Sequence, residues 1–197
     1  MATIASPFQA MSLMEAVTAG AVRPPDTVVA QGPRHQINAV LALADPALGW
    51  AATVRRSRRQ HLELLSGARE IVLGDPFSSI AQLAMLARSR GRIVILEDGA
   101  AVLGAWRTLS TDGAILGRAH GRGQVARQLS RLATRQLRRL AERAEVTLVA
   151  GLPMSTEIAD RLQARSFDVV PHRFGWSSTV ALPTDERMPA NTFGAWH

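Results

Sequence analysis

Residues 92–99 read Arg-Ile-Val-Ile-Leu-Glu-Asp-Gly, an apolar run that stops at two carboxylates and a glycine. Four successive aliphatic side chains, Ile93 to Leu96, leave neither face of a strand for water. Such a strand belongs inside a parallel sheet covered by helices on both sides. Glu97 and Asp98 then fall at its carboxyl end, where open α/β sheets place their ligands. Gly99 permits a tight turn and leaves space for a substrate. A carboxylate withdrawn from water beside a second acid has its pKa raised, which suits a general base acting on a hydroxyl. The same residues also read as a helix cap (Asp98) beside an acid facing solvent (Glu97). Local sequence leaves both readings open.

The rest of the chain repeats the alternation. Strands are expected at 3–5, 27–30, 70–73, 92–96, 145–150 and 167–170, with a further short one at 50–54. Helical patterns lie between them, at 7–19, 37–44, 57–65, 77–88, 100–108, 124–144 and 156–165. Strands spaced by helices predict βαβ units, and hence a single Rossmann-like α/β domain over residues 1–176 with helices on both faces of a parallel sheet. Residues 177–197 read as an irregular tail or the start of a second domain. Two strand-to-helix turns echo one another, Ser6-Pro7-Phe8 and Asp75-Pro76-Phe77. Ser6 suits a helix cap, Pro7 the first helical position and Gln9 the capping box; Asp75 and Pro76 fit the same pattern. Shared capping chemistry explains the echo; the other reading is that both turns line one cleft.

Charge needs care here. The formal net charge is +7, but all 23 basic residues are Arg, and Lys, Tyr and Cys are absent. Lys and Tyr have A/T-rich codons, so the bias points to a GC-rich genome rather than to nucleic acid, which we do not expect as a partner. Without Cys there is no disulfide, thiolate nucleophile or thiolate metal site. The five His are far apart and form no ligand pair, so no metal is expected. No apolar stretch reaches the roughly 18 residues of a membrane span, and no basic region precedes the first apolar run. The expected location is the cytoplasm, with the inner membrane face as a peripheral option.

Within 124–144, Arg127, Arg131, Arg135, Arg139 and Arg143 recur at steps of four. Val125, Leu129, Leu132, Leu137 and Leu140 are expected to form the buried stripe. Like charges at this spacing cost about 0.2–0.5 kcal/mol per pair, so the face should be solvated or matched to phosphate, an acidic sugar or anionic lipid. The glycines of 110–123 match neither a P-loop nor a dinucleotide fingerprint, and no Gly-x-Ser-x-Gly elbow exists.

Ile4-Ala5-Ser6-Pro7-Phe8-Gln9, Gly74-Asp75-Pro76-Phe77-Ser78, Glu97-Asp98-Gly99 and Phe174-Gly175-Trp176 together resemble motifs of the bacterial sialyltransferases and polysialyltransferases of the GT-B type. The resemblance covers about residues 2–176, the N-terminal half of such an enzyme. It implies Asp98 as general base with Glu97 in support, and Ser6, Gln9, Asp75 and Gly99 lining the acceptor side. It further implies an inverting, metal-independent transfer to a glycan acceptor, with a CMP-linked sugar as co-substrate and no other cofactor. The family holds the donor phosphate with a His-Pro motif in its second half. No His-Pro occurs here, so a separate donor-binding domain is expected as a partner, and the chain alone is expected to be inactive. The alternative is a non-enzymatic Rossmann-like module that docks an anionic glycan, lipid or protein through its Arg-rich helix.

Overall fold

The computed structural model describes residues 1–43, 57–88, 90–96, 100–117, 123–151, 154–171 and 175. The chain alternates from the start: β1 (Ala2–Ile4), α1 (Pro7–Thr18), β2 (Val28–Ala30), α2 (Arg34–Leu41) and α3 (Arg58–Gly67). It continues through β3 (Glu70–Leu73), α4 (Ser79–Ala87), β4 (Arg92–Ile95), α5 (Ala100–Ser110) and α6 (Gln124–Ala141). It closes with β5 (Val146–Ala150), α7 (Thr156–Gln163) and β6 (Asp168–Pro171). The strand expected at 50–54 lies outside the described residues. All strands are parallel, in the order β2-β1-β3-β4-β5-β6. This is the Rossmann-like α/β sheet that the sequence predicts.

Alternation along the strands divides the core in two. Ala2, Ile4, Val28, Ala30, Val72, Val94 and Val149 point to the α1–α2 side, where Leu13, Met14 and Ile37 cover them. Ile71, Leu73, Ile93, Ile95 and Leu148 point to the other side, against Met85, Trp106, Leu137 and Leu162. The lead strand is as dry as expected, with Ile93 to Leu96 all buried. Trp106 is 1% exposed, and truncating so large a buried ring costs about 3–5 kcal/mol.

Two expectations need correction. Asp75 does not cap a helix: α4 starts at Ser79, and Ser78 Oγ accepts the Ala81 N–H at 3.2 Å. Asp75 instead accepts the Phe77 N–H at 2.9 Å, which makes it a turn former. The buried stripe of α6 is also different. Leu137 and Leu140 are buried, but Leu129 is only partly covered, and Val125 and Leu132 are exposed. Ser130, Ala133, Thr134 and Ala141 fill the remaining inner positions. These small residues pack α6 on α4, which contributes Ala81, Gln82 and Ala84.

Polar groups inside that contact are matched. Ser130 Oγ donates to Gln82 Oε1 at 3.1 Å, and Gln82 Nε2 donates to the Leu116 carbonyl at 2.7 Å. The Leu116 N–H donates to Thr134 Oγ1 at 2.8 Å. Both backbone groups of Leu116 are thus held by side chains, which fixes the chain between α5 and α6 onto the core. Arg88, 3% exposed, caps α3 by donating to the carbonyls of Leu65, Ala68 and Arg69 at 3.0, 2.8 and 2.9 Å. At the amino edge of the sheet, Arg92 links Glu70 Oε2 (3.3 Å) to Thr147 Oγ1 (3.1 Å), and Thr147 donates to Asp168 Oδ2 at 3.0 Å. Four strands are pinned there in register. Among the described residues no helix is long and apolar enough to cross a membrane.

Candidate functional site

The strand order reverses direction between β1 and β3. From β1 the chain crosses through α1 to β2 on one side, while β3, β4, β5 and β6 extend on the other. Helices wound in opposite senses part at such a point, and the crevice outside the carboxyl strand ends is where open α/β sheets take ligands. Residues 5–9 leave β1 directly into this crevice, and residues 74–77 leave β3 beside them.

Ser6 has extended backbone and caps α1, its Oγ accepting the Gln9 N–H at 3.1 Å. A reciprocal capping box would return the Gln9 carboxamide to the N–H of Ser6. Here Gln9 Oε1 accepts the Ala5 N–H instead, at 2.6 Å, tying α1 to the residue that leaves β1. Gly74 lies against this carboxamide, and a Cβ at Gly74 would overlap its Oε1 and Cδ. Gly32 performs the same service on the other flank: a Cβ there would overlap the Ala5 carbonyl, while the Gln31 N–H donates to the Ile4 carbonyl at 2.8 Å. Residues 5–9 are therefore clamped between the chain leaving β2 and the chain leaving β3.

Three of the sequence-predicted residues are brought together by this clamp. Ser6 and Asp75 are half-buried, and Gln9 is 2% exposed. The Ser6 hydroxyl accepts from the backbone and keeps its proton to donate. With its oxygen engaged by the Ala5 N–H, the other end of the Gln9 carboxamide, Nε2, can only donate. Phe8, 36% exposed, presents an aromatic ring on the first turn of α1. The other three, Glu97, Asp98 and Gly99, lie outside the described residues. Leu96, immediately before them, is buried, and its N–H donates to the Leu73 carbonyl at 2.9 Å, alongside the start of the Gly74–Asp75 turn.

Sequence reading assigned no role to His61, which the fold puts beneath this crevice. It rises from α3, is 2% exposed, and holds Thr3 Oγ1 of β1 at 2.8 Å through Nε2. Its Nδ1 lies 3.2 Å from Nε2 of Gln31, the residue that leaves β2. Burial lowers its pKa below the ordinary histidine value. The imidazole thus joins β1, β2 and α3 under residues 5–9. The available signal was the four-residue spacing from His61 to Leu65, which puts the ring on the buried face of α3.

Among the described residues no group of three or more His, Asp or Glu converges to hold a metal ion. No protein-family model, curated protein or solved structure matches the chain.

Proposed function

We propose that this domain is the acceptor-binding half of a sialyltransferase-like glycosyltransferase, its crevice receiving the end of a glycan. One observation carries the reading: turns 65 residues or more apart in sequence, Ser6–Gln9 and Gly74–Asp75, meet at the reversal point of the sheet, with Gln9 seated on Gly74. Three of the four motifs that bear the family resemblance follow β1, β3 and β4, which are neighbours in the sheet; the fourth, Phe174-Gly175-Trp176, follows β6 at its edge. A cleft built from adjacent strand ends is what acceptor binding requires.

In this reading Asp98 removes the proton from an acceptor hydroxyl, and Glu97 keeps the Asp98 carboxyl basic enough to do so. The freed oxygen attacks the anomeric carbon of a CMP-linked sugar. The bond from that carbon to the phosphate oxygen breaks, CMP leaves with the electron pair, and the configuration inverts. Ser6, the Gln9 amide and Asp75 position acceptor hydroxyls, while Gly99 leaves room for the sugar. A donor-binding domain supplies the opposite wall. The test is transfer from CMP-sialic acid to galactosides and sialosides, with the chain joined to or mixed with such a domain. Asp98→Ala should reduce turnover by about 10²–10⁴-fold, the usual contribution of a general base. Undiminished turnover in that variant contradicts the proposal.

A further inference from the structure

We infer that the outer face of α6 is a docking surface for an anionic phospholipid bilayer. Arg127, Arg131, Arg135 and Arg139 are exposed, and among the described residues their guanidinium groups make no hydrogen bond or ion pair. Each step of four advances about 40° around the helix axis, so the four groups sweep across the outward face over about 18 Å. Arg143 continues the spacing and is also exposed. Arg138 is excluded from the array, because its Nη2 donates to the carbonyls of Thr108, Thr111 and Ala114. Among the described residues, the exposed acid Glu142 stands beside the array and opposes part of its repulsion.

Two hollows run along these side chains and share Arg131. The larger, about 480 Å³, lies between residues 113–115 and the helix; the smaller, about 220 Å³, lies beside Arg127. Both have room for a phosphate group flanked by arginines, which bind it in a forked geometry. Exposed aliphatic side chains accompany the charge: Val125 is 81% and Leu132 51% exposed, on one flank of the arginine sweep. A nucleic-acid backbone would satisfy the arginines and leave Val125 and Leu132 in water. A bilayer interface takes both, phosphates against the guanidinium groups and the aliphatic tips in the headgroup–acyl boundary. The inner face of α6 is locked to α4 through Ser130 and Gln82, so the array is presented on a rigid support. This inference does not depend on the crevice or on its proposed chemistry.

The experiment is co-sedimentation of the full chain with vesicles, either phosphatidylcholine alone or an equimolar mixture with phosphatidylglycerol, with short duplex DNA as a separate arm. The chain should bind the mixed vesicles, ignore the neutral ones, and be released by high salt. Arg131→Gln combined with Arg135→Gln should weaken binding about 25-fold, at roughly fivefold per arginine near a charged surface. Val125→Ser combined with Leu132→Ser should weaken it while keeping the salt dependence. All four side chains are exposed, so unchanged thermal unfolding of the variants confirms that folding is intact. Equal binding to neutral vesicles, undiminished binding by the arginine variant, or binding to DNA without binding to mixed vesicles overturns the inference.

Discussion

Gln31 Nε2 can only donate, so the His61 Nδ1 that receives it carries no proton, and the Nε2–H of the ring is left for Thr3. A second proton on this ring would face the Gln31 carboxamide N–H and have almost no water to spread its charge into. The unfolded chain takes that proton near pH 6.5, whereas the folded chain takes it only at lower pH. Stability from the neutral ring is therefore complete above pH 6.5 and is lost as the pH falls from there through the folded-state pKa. We predict that urea unfolding between pH 8 and 5 shows stability falling below pH 6.5, with a slope of at most about 1.4 kcal/mol per pH unit, one proton's worth. His61→Gln should remove that slope. A variant as pH-sensitive as the parent protein would exclude His61 as its source.

At the scale of elements, the packing of α6 on α4 rests on small residues and one satisfied polar cluster. Replacing Gln82 with Leu keeps the volume but strands the Leu116 carbonyl and the Ser130 hydroxyl. We expect a loss of about 2–3 kcal/mol in denaturant unfolding, the usual consequence of orphaning buried partners. A loss below about 0.5 kcal/mol would show that the cluster is not dry. This packing also marks where sequence reading stopped. β3 and β4 are legible because their aliphatic runs leave neither face of a strand for water, and in β5 only Thr147 breaks such a run. In α6, hydrophobicity singles out Val125, Leu129 and Leu132, yet close approach to α4 selects Ser130, Ala133 and Thr134, whose merit is size. At Asp75 the residue type was informative and the partner was not: its carboxylate closes a turn onto Phe77 while Ser78 takes the cap.

For the whole molecule, the sequence announces the alternation of strands and helices but not the order in which the strands pair. That order decides whether Ser6, Gln9 and Asp75 share a crevice or sit on separate edges. The echo between the two turns was therefore ambiguous until β1 and β3 proved to be neighbours. Gly32 carries no signal in the sequence, and Gly74 stands there only as part of a motif, for a related reason: both leave room for residues distant in sequence. The central claim is that the crevice above β1, β3 and β4 receives a glycan. It is tested most directly by titrating the isotope-labelled chain with galactosides and sialosides and following its backbone amide resonances. The account predicts saturable shifts confined to residues 5–9, 74–77 and 96–99, unaffected by Arg131→Gln with Arg135→Gln on α6. Saturable shifts elsewhere, or none with any of these sugars, would contradict it.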